Sequence, residues 1–149
     1  MRPRFGECEL IRRNEWVQKV TNAGEGVWVV VHLFKEYVSP CVVLQQCLDE
    51  LAGKYPNSKF VKIISTEAIP TYPDVMLPTL IIYKDGQKVT DFVGLEIFGK
   101  INNPEEIALK LNEVGPICGG DEDTKQMVKK MVERAVEQRH DDEDSDFDD

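Results

Sequence analysis

The feature that most constrains the fold is a run of eight residues, Val27–Phe34, which is apolar except for His32 and rich in β-branched side chains. Such a run is typical of a central strand that is covered on both faces. It is followed by Pro40, a residue favoured in the first turn of a helix. Apolar residues then recur at helical spacing, at Val43, Leu44, Cys47, Leu48 and Leu51. The sequence therefore predicts a buried strand, a short turn and a helix that begins near Pro40.

Further elements are predicted on both sides of this unit. Residues 8–11 and 59–65 have the composition of strands. Asn14 is a candidate N-cap for a first helix that would carry Trp16, Val17 and Val20 on one face and end at Gly24 or Gly26. A later helix begins after Asn103-Pro104, carries Ile107, Leu111 and Val114, and stops at Gly115-Pro116.

Asp85-Gly86 stands between two extended segments, which is a strong signal for a tight hairpin. The hairpin implies an antiparallel pair of strands, whereas a strand, helix and strand in succession imply a right-handed parallel crossover. The predicted fold class is therefore α/β, a mixed central sheet with helices on both faces.

The net charge of −9 is concentrated at the C-terminal end. The last nine residues, 141–149, hold seven acids, and the rest of the chain carries only −2. This balance argues against binding to nucleic acid, which requires a basic face, and against binding to an anionic membrane. No segment approaches the roughly 20 apolar residues that a membrane span needs.

The four cysteines, Cys8, Cys41, Cys47 and Cys118, show no metal-site spacing, and the only histidines are His32 and His140. We therefore expect no metal site and no cofactor. The first ten residues lack the apolar run of a signal peptide. We expect free thiols in a reducing, cytoplasmic compartment.

The composition changes after Pro116, so the sequence predicts a domain over 1–116 and two appended segments. Residues 117–140 combine a polar break with an amphipathic helix over 124–140, whose apolar face would hold Met127, Val128, Met131, Val132, Ala135 and Val136. This helix either docks on the domain or binds a partner. The acidic segment 141–149 is predicted to be disordered through repulsion between its charges.

A strand, a tight turn and a helix around Tyr37–Cys41 form the layout of a dithiol redox site. Dithiol exchange needs an attacking cysteine at the start of the helix and a resolving cysteine three residues later. Val38 occupies the first position, followed by Ser39 and Pro40, and Cys41 occupies the second. Without the attacking thiolate we expect no oxidoreductase activity.

The motif of residues 37–41, with Leu77-Pro78-Thr79 further on, resembles the thioredoxin fold, in which a cis-proline loop faces the cysteines. The segments RFGECELI, GEGVWVVVHLFK and ISTEAIPTYPDVMLPTLIIYKDG resemble the phosducin-like protein family, in particular its group of phosducin-like proteins 2 and 3. This similarity covers about residues 4–115. In thioredoxins an acid lies six residues before the first cysteine, and His32 stands there in this chain.

The resemblance implies a cytosolic co-chaperone without enzymatic activity, which binds the chaperonin CCT (TRiC) and modulates the folding of actin, tubulin and related clients. Two alternatives stay open. One is a regulator that binds G-protein βγ subunits, although the helical region that supplies much of that contact in the family would precede this chain. The other is a monothiol redox protein that uses Cys41.

His32 is interpreted as a hydrogen-bonded core residue, with a pH sensor as the alternative. The acidic segment either only keeps the chain in solution or contacts a basic surface of a partner. In the second case Ser145, which has Asp148 at the +3 position, is a candidate phosphorylation site for an acid-directed kinase.

Overall fold

The structure, a computed structural model, describes residues 5–94 and 103–146, the last seven of these by their backbone alone. The chain divides into two compact units, Met1–Pro104 and Glu105–Asp149. The helix predicted around Ile107 and Leu111 was assigned from the sequence to the domain 1–116. Apart from its first residue, it lies in the second unit.

The first unit contains a mixed five-stranded sheet. Its strands are β1 (Cys8–Leu10), β2 (Trp28–Phe34), β3 (Lys59–Ile64), β4 (Thr79–Lys84) and β5 (Gln87–Val93), and its helices are α1 (Ser39–Lys54) and the short α2 (Ser65–Ala68). The strand order is β1-β3-β2-β4-β5. Strands β1, β3 and β2 run parallel, and β4 is antiparallel to both β2 and β5. This arrangement confirms the predicted mixed sheet with its parallel crossover through α1.

The β4–β5 hairpin turns at the predicted dipeptide. Asp85 and Gly86 both have positive φ, 51° and 78°. Two positive φ values in succession are the geometry of a type I′ turn, whose twist matches that of the paired strands. The carboxylate of Asp85 also accepts a hydrogen bond from the backbone N–H of Gly26 at 2.7 Å, which joins the hairpin to the loop before β2.

The central strand β2 is buried on both faces, as its composition predicts. Val29, Val31 and Leu33 belong to one apolar cluster, which also receives side chains from the segment after β1 and from α2. On the opposite face the ring of His32 is hydrogen-bonded to Gln45 of α1. Alternate side chains of one strand therefore contact different layers of helical structure.

The segment predicted as the first helix does not form an α-helix. A 3-10 turn spans Arg13–Glu15 and a π turn spans Val17–Thr21. Asn14 lies inside the first turn and is not an N-cap. Val20 is buried, but Val17 is 61% exposed, against expectation. Valine and threonine have low helix propensity, so packing onto the sheet decides the local conformation here.

Helix α1 begins one residue before Pro40, in agreement with the sequence. Cys41, Leu44, Cys47, Leu48 and Leu51 are buried. Val43 was predicted to lie on the same face but is 40% exposed. Each residue turns the helix by about 100°, so a side chain next to the buried stripe can fall outside it.

The second unit contains α3 (Pro104–Asn112) and α4 (Asp121–Asp146). Helix α4 continues six residues beyond the predicted end at His140 and so includes the first residues of the acidic segment. Once a helix has formed, adding a residue requires ordering only that residue. Residues 147–149 lie outside the described residues.

The predicted apolar face of α4 is only partly buried. Met127 is 4% exposed, whereas Val128, Val132 and Val136 are 43%, 56% and 62% exposed. Only the edge of the predicted apolar face that holds Met127 is therefore buried, and the edge that holds the three valines is exposed.

Candidate functional site

The turn between β2 and α1 holds Val38 at the N-cap of the helix. Its backbone is extended, with φ −97° and ψ 103°, and no side chain caps the helix there. The N–H of Cys41 donates to the carbonyl of Val38 at 2.9 Å and closes the first turn. The side chain of Val38 is half-buried and packs against the apolar cluster of the first unit. Ser39 is exposed and Pro40 is half-buried beside it.

Cys41 is shielded and not activated. It is 1% exposed, and burial raises the pKa of its thiol, as does the carboxylate of Asp74, while a backbone hydrogen bond from Lys35 lowers the pKa. A nucleophilic thiol must be both accessible and ionised. The remaining thiols offer no replacement, because Cys47 and Cys118 are buried and burial raises the pKa of Cys8 to about 11.

The loop before β4 lies against this turn. The Leu77–Pro78 peptide bond is cis. Leu77 is 2% exposed and belongs to the same apolar cluster as Cys41. The hydroxyl of Thr79 donates to the carbonyl of Met76 at 2.8 Å and is hydrogen-bonded to the hydroxyl of Tyr72 at 2.7 Å. These bonds hold the proline loop in one conformation.

A hydrogen bond joins the two loops across the surface. The hydroxyl of Tyr37 donates to the carboxylate of Asp74 at 2.5 Å, and this bond raises the pKa of the phenol. Tyr37 is 70% exposed and Val75 is 88% exposed. Val42 follows Val38 at the helical spacing of four residues and is half-exposed. We call these five residues, Tyr37, Val38, Val42, Asp74 and Val75, the motif surface.

The motif surface combines exposed apolar and aromatic side chains with one hydrogen-bonded acid. Val38 and the proline loop were predicted from the sequence as part of this region, whereas Asp74 and Val75 were not. An apolar residue such as Val75 in a proline-rich loop, without periodic partners, was the available signal.

His32 is a hydrogen-bonded core residue, as interpreted from the sequence. It is fully buried, and its Nδ1 lies 2.7 Å from Oε1 of Gln45. Burial lowers the pKa of the imidazole to about 4. A neutral ring therefore stands at the position where thioredoxins place an acid for proton transfer.

Two classes of site have no counterpart in the part of the chain that is described. Among the side chains that the structure describes, those of residues 5–94 and 103–139, no three histidine, cysteine or acidic groups are placed together as metal ligands. No helix among those residues is both long enough and apolar enough to cross a membrane. Ser145 lies near the end of α4, where only the backbone is described.

Solved structures place this architecture in the thioredoxin class. Thioredoxin f from spinach chloroplast (short form) superposes with a TM-score of 0.59 over 76% of this chain and 98% of its own, at 17% sequence identity. Thioredoxin from Fasciola hepatica gives a TM-score of 0.56 over 70% of this chain and 97% of its own, at 22% identity. At this level of identity the similarity establishes the fold alone: the chain has a thioredoxin-like fold.

Sequence comparison specifies the family. The family model described as Phosducin matches residues 1–101. Phosducin-like protein 3 from Danio rerio is 45% identical over 114 residues, which cover 76% of this chain and 48% of that protein. Phosducin-like protein 3 from Mus musculus is 42% identical over 118 residues, 78% of this chain and 49% of that protein. Phosducin-like protein 2 from Drosophila melanogaster is 36% identical over 115 residues, 76% of this chain and 48% of that protein.

The chain belongs to the phosducin family, and its similarity to phosducin-like proteins 2 and 3 confirms the resemblance recognised in the sequence. It spans about half the length of the curated relatives that it matches.

Proposed function

We propose that the protein is a non-enzymatic co-chaperone that binds other proteins through the motif surface. The main observation behind this proposal is that an apolar side chain occupies the position at which a redox site has its attacking thiol. Val38 packs where an attacking thiolate would stand, and the remaining thiol of Cys41 is buried. The loops around it are cross-linked by the bond between Tyr37 and Asp74 and present exposed apolar side chains.

The proposed partners are the cytosolic chaperonin CCT and its clients of the actin and tubulin type. Membership of the phosducin family supports this assignment, because the resemblance to phosducin-like proteins 2 and 3 implies such a role. An exposed apolar group on a rigid scaffold also suits noncovalent recognition, since little conformational entropy is lost on binding. Residues on loops held by a scaffold commonly carry binding functions.

The test is retention of the chain on immobilised, purified CCT. Val75→Lys places a charge on the most exposed apolar residue of the motif surface and should reduce retention at least tenfold. Val89→Lys, on an exposed valine of β5, is the matched control and should bind as the wild type does. Equal retention of both variants would show that the motif surface does not contact CCT. No retention of the wild type would refute the chaperonin as partner.

The acidic segment is proposed to tune this binding. Phosphorylation of Ser145 would add about 1.5–2 negative charges to a segment that already holds seven acids. A chain truncated after His140 should therefore differ from the full chain in its affinity for CCT, and the difference should shrink at high salt. The same affinity for the two chains at low salt would show that the segment has no part in binding.

A further inference from the structure

A cavity of about 290 Å³ lies on the face of the sheet that is opposite to His32. Ile63 of β3 and Ile81 of β4 form its floor, and both are almost fully buried. They are paired in register with Leu33 and Val31 of the central strand. The elements around them are short, since α2 has four residues and the 3-10 turn after β1 has three. Neither is long enough to cover this part of the sheet, so the cavity stays open.

Apolar and aromatic side chains form the walls of the cavity. Trp16 and Tyr83 meet edge to face, with ring centroids 5.5 Å apart and planes at 83°, and both residues are half-buried. Ala68 and Ile69, at the end of α2, also line the cavity. An apolar cavity of about 150 Å³ is large enough to hold benzene. A cavity of about 290 Å³ therefore has room for one large apolar side chain.

Two charged residues, Arg13 and Glu67, line the same cavity. The carboxylate of Glu67 is already bound by Nε of Arg12 at 2.8 and 2.9 Å. Arg13 instead donates to backbone carbonyls, to that of Glu67 at 2.7 Å and to that of Thr66 at 3.5 Å. Glu15 accepts the backbone N–H of Arg12 and does not line the cavity.

Arg13 therefore carries the charge that is left over. Among the side chains that the structure describes, no carboxylate forms an ion pair with its guanidinium. The two arginines and Glu67 together carry one positive charge. Arg13 is exposed, and a guanidinium has five N–H donors, of which the two carbonyls occupy two. The remaining donors are suited to a carboxylate that approaches from solvent.

A polar depression of about 500 Å³ adjoins the cavity, because Arg13 and Glu67 line both. Its other lining residues are Arg12 and Asn14, which are exposed. The amide of Asn14 can both donate to and accept from a peptide group. An apolar cavity that continues into a polar depression suits a ligand with one large apolar group on a longer polar chain. A polypeptide has this form, whereas a small apolar molecule would leave the depression empty.

We infer that the cavity binds a polypeptide segment of a partner protein, one in which Phe or another large apolar residue stands next to Asp or Glu. The apolar side chain occupies the space between Trp16, Ile63 and Ile81. The neighbouring acid pairs with Arg13 at the mouth, and the peptide backbone lies in the polar depression beside Asn14. This site shares no residue with the motif surface, and it does not depend on CCT as the partner.

The test is a titration of the ¹⁵N-labelled full chain with the capped peptide Gly-Ser-Phe-Glu-Ser-Gly, followed by NMR. The amide signals of Ile63, Ile69 and Tyr83 should shift as the peptide binds. Replacing Phe by Ala in the peptide should weaken binding at least about tenfold, because the cavity is then left unfilled. Replacing Glu by Gln should weaken it about threefold, the effect expected for one exposed ion pair.

Variants of the chain separate the two contacts. Ala68→Leu fills the cavity and should abolish binding, while its dispersed NMR spectrum checks that it is folded. Arg13→Gln should bind the Glu and Gln peptides equally. Lys54→Gln, which removes an exposed charge from α1, is the matched control and should keep the preference for Glu. Because Arg13 is exposed, its variant tests the charge contact independently of the folding of Ala68→Leu.

Several outcomes would overturn the inference. Unchanged amide signals at millimolar peptide, or equal affinities of the Phe and Ala peptides, would show that the cavity holds no side chain. A preference for Glu that persists in Arg13→Gln would exclude Arg13 as its partner. If 3-phenylpropanoate bound as tightly as the peptide, the site would be one for small carboxylic acids. Phe147 lies between aspartates in the acidic segment. Tenfold tighter peptide binding by Phe147→Ser would assign the cavity to that segment of this chain.

Discussion

The motif surface and the row of exposed valines on α4 (Val128, Val132 and Val136) are both apolar, but they are built differently. At the motif surface two loops are tied together by the hydrogen bond from Tyr37 to Asp74 and rest on the buried residues Cys41 and Leu77. The exposed valines of α4 form a row only because they are four residues apart on one helix. The first depends on contacts between two loops that are far apart in the sequence, whereas the second depends only on the spacing of residues along one helix.

The largest expected difference between the two regions is in the free energy of unfolding when one apolar side chain is shortened in each. Leu77→Ala should lower the free energy of unfolding by about 2–5 kcal/mol, because it opens a cavity beneath the proline loop. Val132→Ala should change it by less than about 0.5 kcal/mol, since Val132 is more than half exposed. Urea unfolding followed by circular dichroism measures both. Similar losses in the free energy of unfolding would show that Val132 is buried in solution.

Burial of His32 in β2 should make the stability of the first unit depend on pH. Burial lowers the pKa of His32 to about 4, with Lys62 acting in the same direction and the bond to Gln45 and the charge of Asp49 opposing it. Between pH 6.5 and 4 the unfolded chain takes up a proton that the folded chain does not, so stability is lost as the pH falls. The loss is on the order of 3 kcal/mol at full extent.

Unfolding by urea at a series of pH values measures this loss in the wild type and in His32→Gln. The variant should lose less stability over that range, because glutamine stays neutral throughout it. Identical pH profiles for the two proteins would contradict the buried, neutral state of His32.

The rate at which each thiol is alkylated gives a smaller expected effect, which distinguishes a buried thiol from a reactive one. Cys41 in the folded chain should react with iodoacetamide at pH 7 at least about tenfold more slowly than in the urea-unfolded chain, because it is shielded and its pKa is raised. Mass spectrometry of the digested protein reports each of the four cysteines separately. If Cys41 reacts first in the folded chain, the monothiol redox alternative is favoured.

Local patterns predicted most of the first unit. The buried strand β2, the start of α1 near Pro40 and the turn at Asp85-Gly86 each follow from signals confined to a few residues. The segment after β1 did not follow, because weak helix formers such as Val17 take whatever conformation suits the sheet beneath them. Burial set by tertiary contacts is not contained in local periodicity.

The two regions were predictable to different degrees. The turn at Val38 and the proline loop could be located because their residue types are unusual and their order is fixed. The bond between Tyr37 and Asp74 could not, since it joins positions 37 residues apart. Which edge of the apolar face of α4 is buried depends on how α4 packs on α3, and a helical wheel alone does not decide that.

The most direct test of the central claim is insulin reduction by the wild type, Val38→Cys and Val38→Cys/Cys41→Ser. The wild type should show no turnover above background. Val38→Cys restores the attacking thiol at the start of α1 and should give measurable turnover that the second substitution abolishes. Turnover by the wild type that disappears in Cys41→Ser would contradict a domain that binds other proteins without exchanging electrons with them.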